Sequence, residues 1–556
     1  MQSAFLRLNR FSRLMCMAGV LLATVAACCH IAIAQITYTP APPSTFWGQE
    51  PTAHPTTPPV TLYGGVRLNS TTWPTIETSR PLALSSWDFT TVNAYKSNYP
   101  AGTDFLYTLY RTPSFAGSSD VEAPTDLSTS AACDAPLAGV NTTDCTLKEF
   151  IVGFMETTCG VSSVPMSQQS TNDCWIKNFE TWNEWNGTGF WNDKVMSLAQ
   201  MGEDAAYYIR LFCNDCKIGP GSVSGAGAGT LTPATGGYTA DPSGDGEHSY
   251  YDTTMEVMLN DWYSIGGATT MPDFVSWHPY PTYERYTNVN GHSVPIDPAP
   301  MPEMVASGDG TGLDNNDGTG SDLHNGSAGC TSAVTGEYTL SFPQCGDSVS
   351  EQANKMINDV ATATYHMAGK PVWATEGGFS QLYDLQGVGS GDSATDTVRA
   401  DYMARWLIEL AWRGVARVYP YSYDNVCWMP QYLNVQQTCT PSPAVYGWSP
   451  EEVPAGETSA GTAWLQVEDW LSGATTPSCT VNGSHQYSCT MTRTTPSGYH
   501  ATIFFADPWG ASDTFTPTPP SGKTFSQYRD LSGNETPYTG GTITLTGSPV
   551  IFEGTD

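Results

Sequence analysis

Charge is what this sequence has least of. Only 14% of its 556 residues are Asp, Glu, Lys or Arg, against about a quarter in ordinary globular chains. Positive charge is scarcest: 22 Lys and Arg face 54 Asp and Glu, a formal net charge of -32. So few cations cannot hold a phosphate backbone, which excludes nucleic acid as a partner. Long apolar runs are missing after the first 34 residues, so no membrane span is expected. No His-Glu-x-x-His pair occurs, which removes the common metalloprotease reading. Gly221-Ser222-Val223-Ser224-Gly225 puts valine where a serine-hydrolase elbow needs its nucleophile. What the chain does have is 40% hydrophobic and 12% aromatic residues, with 17 Trp, 53 Gly and 40 Pro. That composition excludes general disorder, and the length suffices for a large core.

The first 34 residues read as an export signal. Arg7, Arg10 and Arg13 form a basic start, Leu14 to Ala27 an apolar stretch, and Ala32-Ile33-Ala34 a small-residue cleavage site before Gln35. A second processing route is open, because Val25-Ala26-Ala27-Cys28 resembles a bacterial lipobox that would put a lipid anchor on Cys28. Soluble export to the extracellular side is the favoured reading, a lipoprotein the alternative. Removing the signal leaves 12 of the 15 cysteines. They fall in close pairs: Cys133/Cys145, Cys159/Cys174, Cys213/Cys216, Cys330/Cys345, Cys427/Cys439 and Cys479/Cys489. An even count in an exported chain favours disulfides over zinc, for which only Cys213 and Cys216 have ligand-like spacing.

Residues 35–45 form a Pro-rich lead-in. From 46 to 477, short apolar runs alternate with amphipathic stretches. The strand candidates are Phe46–Gly48, Leu62–Leu68, Phe105–Arg111, Ile176–Trp182, Lys217–Gly219, Phe274–Trp277, Val372–Ala374 and Val415–Tyr419. Helical spacing is clear at Val195–Leu211, Tyr251–Tyr263, Gln352–Met367 and Thr397–Trp412. Eight strands alternating with helices predict the α/β class, as a (β/α)8 TIM barrel. Residues 284–350 interrupt the rhythm as a long loop insertion. Asp309, Asp314, Asp317 and Asp322 lie there among glycines, but their spacing does not fit a helix-flanked calcium loop, and no metal is expected. Residues 478–556 switch to short alternating strands punctuated by Gly and Pro, which predicts a C-terminal all-β sandwich domain.

In such a barrel the functional side chains stand at the C-terminal ends of the strands. Two strand ends there carry a carboxylate: Phe179-Glu180-Thr181-Trp182-Asn183-Glu184 and Trp373-Ala374-Thr375-Glu376-Gly377-Gly378. Two carboxylates flanking a bond are what glycosidic cleavage needs. One protonates the departing oxygen and the other captures or stabilises the oxocarbenium-like carbon. Trp185, Trp191, Tyr283 and Trp428 fall on loops at the same end, and aromatic faces beside short polar groups suit a carbohydrate.

The first of these segments resembles the Asn-Glu signature at the fourth strand of clan A glycoside hydrolases (the 4/7 superfamily). The second resembles the clan's nucleophile strand. Leu62-Tyr63-Gly64-Gly65-Val66-Arg67-Leu68 with Trp73 is similar to the second strand, and Phe274-Val275-Ser276-Trp277-His278-Pro279-Tyr280-Pro281 to the sixth. Tyr107-Thr108-Leu109-Tyr110-Arg111-Thr112-Pro113 is similar to the third strand of family 39-like members. The resemblance implies a retaining double displacement without cofactor, with Glu184 as acid/base and Glu376 as nucleophile. It implies that Asn183 holds the sugar 2-hydroxyl, that Arg67 and Tyr280 hydrogen-bond Glu376, and that His278 lines the site. Glu180 is read as a buried partner of Arg67 or Arg111. The clan commonly has a tryptophan at the end of the eighth strand. Here the run is Tyr419-Pro420-Tyr421-Ser422-Tyr423-Asp424, so Tyr421 or Tyr423 is expected as sugar platform and Asp424 as a hydroxyl ligand. The rival reading is a non-catalytic carbohydrate-binding surface protein on a degenerate barrel; the presence of both glutamates favours the enzyme.

Overall fold

The computed structural model describes residues 46–51, 64–68, 71–80, 83–127, 145–161, 173–186, 189–224, 250–280, 286–289, 292–295, 302, 349–378, 393–421, 434–435, 456–457, 459–482, 486–506 and 513–556. The export signal, the Pro-rich lead-in and most of the 284–350 insertion lie outside them. So do Tyr283, Tyr423, Asp424 and Trp428, and five cysteines of the expected pairs: Cys133, Cys330, Cys345, Cys427 and Cys439.

The first part of the described chain is a mixed α/β structure with parallel strands. One sheet joins β1 (Gly48–Gln49), β2 (Gly65–Leu68), β3 (Asp104–Thr108), β4 (Ile176–Glu180) and β5 (Lys217–Gly219) in chain order. A second joins β6 (Val223–Ser224) and β7 (Val275–His278) to β10 (Val372–Ala374) and β11 (Arg417–Val418). Between β7 and β10 lies an antiparallel hairpin of β8 (Tyr286–Val289) and β9 (His292–Pro295). Two parallel bridges, Trp47 with Val418 and Glu50 with Tyr421, tie the first strand to the last. On the other side, β5 pairs with β4 and β6 pairs with β7, so one stretch of chain interrupted at 220–222 serves both sheets. The eight expected strands all occur within two or three residues of their anticipated bounds. β6 was not anticipated, because its two residues show no periodicity.

Helices connect these strands, and their burial explains why they form. In α4 (Val195–Phe212), residues Val195, Leu198, Ala199, Met201, Gly202, Ala205, Ala206, Ile209 and Phe212 are buried. That is the three-to-four spacing of a helix with one apolar face. α7 (Ser393–Arg413) buries Met403, Trp406, Leu407 and Leu410 completely or nearly so. The helices not anticipated from the sequence are α1 (Trp73–Ile76), α2 (Thr90–Asn98), α3 (Thr146–Cys159) and α8 (Ser459–Leu471). The expected helix over 352–367 is α6 (Val349–Lys355) followed by a π-turn at Met356–Val360, and Tyr250–Gly266 forms α5.

After β11, the short strands β12 (Asn434–Val435) and β13 (Gly456–Glu457) pair antiparallel. The C-terminal part is an antiparallel sheet in the order β14 (Ser478–Val481), β15 (Gln486–Thr492), β16 (Tyr499–Ala506), β21 (Val550–Thr555), β18 (Gln527–Arg529) and β19 (Glu535–Pro537). A ribbon of β17 (Asp513–Phe515) and β20 (Ile543–Leu545) packs near it, with the Phe504 and Phe515 rings 4.8 Å apart. All eight residues of β16 are buried. Successive strand residues point to opposite faces, so both faces must be covered. Tyr499, Ala501, Ile503 and Phe505 join the core shared with the helices, whereas Phe504 and Ala506 join the cluster with Phe525, Leu545 and Phe552. Arg405 of α7 reaches across, donating to the Ala506 carbonyl and lying 4.7 Å over the Phe505 ring. Three disulfides are present among the described residues: Cys159–Cys174, Cys213–Cys216 and Cys479–Cys489. Each joins cysteines that neighbour one another in sequence.

Candidate active site

The C-terminal ends of β1, β2, β4, β7 and β10 bring one group of polar side chains together. Arg67 on β2 is its electrostatic centre. Its Nη1 donates to Glu50 Oε2 and to Glu376 Oε2, each at 2.7 Å. Its Nη2 donates to Glu180 Oε2 at 3.0 Å and to Asn183 Oδ1 at 2.5 Å. The guanidinium is buried, which alone would weaken its hold on the proton. Glu50, Glu180 and Glu376 outweigh that and push its pKa well above the ordinary value. One cation therefore answers three carboxylates, consistent with a chain so short of basic residues.

Glu180 is fully buried and needs every acceptor site filled. Arg67, Thr375 Oγ1 (2.7 Å) and Thr108 Oγ1 (3.1 Å) fill them. Arg111 instead pairs with Asp120.

Glu184 and Glu376 are the more open carboxylates, with side chains 16% and 12% exposed. One oxygen of each, and a ring nitrogen of His278, lie within 4.8 Å of one another. His278 Nδ1 is 2.9 Å from Glu184 Oε1 and 3.7 Å from Glu376 Oε2. Burial opposes protonation of this imidazole, but Glu376 and Glu184 outweigh it and raise its pKa. Its Nε2 is buried and has no hydrogen-bond partner among the described residues. Tyr280 donates its hydroxyl to Glu376 Oε1 at 2.6 Å. Burial, reinforced by Glu376 and Glu184, drives its pKa far above the usual phenol value, so it remains a donor.

Glu184, His278 and Glu376 could offer three ligand atoms to a cation. The Arg67 guanidinium already faces Glu376, Tyr280 occupies its other oxygen, and His278 is turned to Glu184. Each of the three side chains thus already has a hydrogen-bond partner within the cluster.

Local structure fixes these positions. Glu184 has φ 43°, a left-handed conformation that costs energy for a residue with a Cβ. Hydrogen bonds on both sides hold it: Trp185 N to Ser222 O, Ser222 N to Trp182 O, and Trp185 Nε1 to Gly221 O at 2.7 Å. A Cβ on residue 221 would sit 2.7 Å from Trp182 Cβ and 2.8 Å from Trp185 Cδ1, so only glycine fits. Trp185 itself is fully buried behind the loop, and Trp191 packs on Trp182 with ring centroids 4.9 Å apart. Tyr421 is half-buried, and its N–H donates to Gly377 O at 2.8 Å.

Two site residues were not anticipated. Glu50 is buried at the end of β1. Burial lifts its pKa to about 7, with Glu376 adding to the rise and Arg67 opposing it. The sequence does carry a hint, a carboxylate just after a strand candidate, as at 184 and 376. Tyr110, two residues past β3, packs edge-on against Trp182 and beneath the Arg111 guanidinium. Burial raises its phenol pKa, and Glu184 and Glu376 are near enough to add to the rise while Arg111 opposes it.

No protein-family model matches the chain, and the search of curated proteins finds no match. Similarity emerges only in three dimensions. A bifunctional glucanase-xylanase from a metagenome library superposes with a TM-score of 0.50 at 11% identity, covering 93% of this chain and 96% of its own. A Paenibacillus polymyxa xyloglucanase of glycoside hydrolase family 44 has a TM-score of 0.49 at 13% identity, with 93% and 97% covered. A family 51 α-L-arabinofuranosidase from Bifidobacterium longum has a TM-score of 0.48 at 11% identity, with 94% and 98% covered. At these identities the likeness is one of fold.

Proposed function

We propose that the chain is an exported retaining glycoside hydrolase that cleaves β-glycosidic bonds of an oligo- or polysaccharide with two glutamates. The observation that carries this reading is the approach of Glu184 and Glu376 within 4.8 Å, from strands almost 200 residues apart. Retaining enzymes hold their two carboxyl groups about 5 Å apart, whereas inverting enzymes leave about 6.5–9.5 Å for a water.

In this reading Glu184 gives its proton to the glycosidic oxygen as Glu376 attacks the anomeric carbon from the opposite face. The C–O bond breaks and a glycosyl ester forms on Glu376. Glu184 then takes a proton from water, whose oxygen displaces Glu376 and releases the sugar. Arg67 and Tyr280 hydrogen-bond Glu376 and keep it aimed. His278 steadies Glu184 from the buried side. Asn183 holds the sugar 2-hydroxyl, and Trp185 supports the Glu184 loop from behind. Tyr421 stands at the cleft edge as sugar platform, with Tyr423 and Asp424 following it in sequence.

The same reading closes the two parallel sheets into a (β/α)8 barrel over 46–477. In support are the bridges between first and last strands and the sharing of residues 217–224 by both sheets. Residues 1–34 are then an export signal and 478–556 a β-sandwich covering the barrel's helices. Three disulfides favour an oxidising, extracellular setting. The glucanase-xylanase above makes glucans and xylans the first substrates to try.

The test is hydrolysis of these polysaccharides and of aryl β-glycosides, with the first-formed anomer read by NMR. Glu376→Gln should lose most activity on every substrate. Glu184→Gln should lose roughly 10²–10⁴-fold on unactivated substrates and far less on dinitrophenyl glycosides, which leave without a proton. Full activity in both variants, or an inverted first product, would refute the assignment.

A further inference from the structure

Arg67 Nη1 carries two N–H bonds, and the structure gives one to Glu376 and the other to Glu50. Glu50 is buried, cannot reach a sugar, and belongs to no step of the mechanism above. We propose that Glu50 is a positioning residue that sets the charge felt by the Glu376 carboxylate, acting through the Arg67 nitrogen the two share. This rests on the reading of Glu376 as nucleophile.

The physics is a count of charges in a closed space. Arg67 faces Glu50 from β1, Glu180 from β4 and Glu376 from β10, while His278 from β7 faces Glu376. Past the end of β11, the Tyr421 backbone bridges to Glu50, and the Tyr421 phenol acts on Tyr280. With Glu50 protonated, the guanidinium charge is divided between Glu180 and Glu376. With Glu50 ionised it is divided three ways, and one more negative charge stands behind the nucleophile. Both changes act in one direction. Glu376 becomes more basic, hence more nucleophilic, and the site becomes more favourable to an oxocarbenium-like transition state. Burial holds the Glu50 proton up to about pH 7, so the change falls inside the working range of the protein. His278, whose pKa is also raised, lowers that of Glu50, so the part of the step that belongs to Glu50 is the part a neutral side chain at position 50 removes.

The experiment traps Glu376 with dinitrophenyl β-glycosides bearing fluorine on the carbon beside the anomeric centre, in gluco, xylo and cellobio configurations. These need no proton from Glu184, and labelling of Glu376 is read by mass spectrometry on the full-length protein from pH 5 to pH 9. The wild-type trapping rate should rise through a step near neutrality. Glu50→Gln, locked in the neutral form, should lose that step and trap roughly three- to tenfold more slowly than wild type at about pH 8. The two should agree within about twofold at pH 5, where both are neutral at this position. Glu50→Asp keeps an ionisable group and should retain a displaced step; it also carries the test should Glu50→Gln fail to fold. Identical pH profiles in wild type and Glu50→Gln, or no displacement in Glu50→Asp, would overturn the role of Glu50 while leaving Glu376 as nucleophile. A wild type that no trap labels at Glu376 would remove the nucleophile assignment itself.

Discussion

Replacing Glu468 by Gln should make the protein more stable at alkaline pH and leave it nearly unchanged in acid. Glu468 lies on α8, only 6% exposed, with its Oε2 lacking any hydrogen-bond partner among the described residues. Burial raises its pKa from 4.5 to about 8; a hydrogen bond with Trp464 opposes the rise and Asp469 adds to it. The folded state therefore keeps a proton that the unfolded chain gives up. Stability from this group is whole below about pH 4.5 and is lost as pH rises toward about 8. Each pH unit across that window costs about 1.4 kcal/mol. Between about pH 5.5 and about pH 8.5 the wild type should thus lose about 3 kcal/mol more than Glu468→Gln, whose carboxamide never ionises. The assay is urea unfolding of both proteins at the two pH values. Glu50, raised to about 7, and Asp401, raised to about 6, titrate in both proteins and cancel in the comparison. Equal losses in the two proteins would refute the reasoning, as would a variant less stable by the same amount at both pH values.

Arg67→Met should destabilise by about 3–5 kcal/mol near pH 8, because the buried Glu50 and Glu180 and the partly buried Glu376 lose their shared cation. The loss should be smaller near pH 5, where Glu50 is already protonated, and denaturation at the two pH values checks this. Tyr280→Phe removes the 2.6 Å hydrogen bond to Glu376 Oε1. It should lower kcat roughly ten- to hundredfold with little change in KM, since the phenol bonds the carboxylate proposed as nucleophile.

Period and punctuation told strand from helix where a long segment buries a single face; α3, buried on nearly every side, shows no such period. α4 and α7 display helical spacing over five turns, and β16 displays an apolar run bounded by turn residues. Short or mixed segments gave no such lead. β6 has two residues, and α8 mixes Trp, Glu and Gln at positions that only its packing between helices and sheet explains. The cysteines were easier, since a disulfide between near neighbours needs no knowledge of the fold; Cys159–Cys174, Cys213–Cys216 and Cys479–Cys489 are of that kind.

The linear order of residues determined which carboxylates stand at strand ends, because a strand's length and alternation are local properties. It could therefore nominate Glu184 and Glu376 and attach Asn183, Arg67, His278 and Tyr280 to them by resemblance. What it could not determine is which of those ends meet. That Glu50 shares a nitrogen of Arg67 with Glu376, that Glu180 pairs with Arg67 rather than Arg111, and that Trp185 faces the core all depend on distances across the molecule. Such distances follow from strand register and from how bulky side chains fill the space between sheets and helices. Burial then decides which acids keep a proton, and burial belongs to the assembled structure alone.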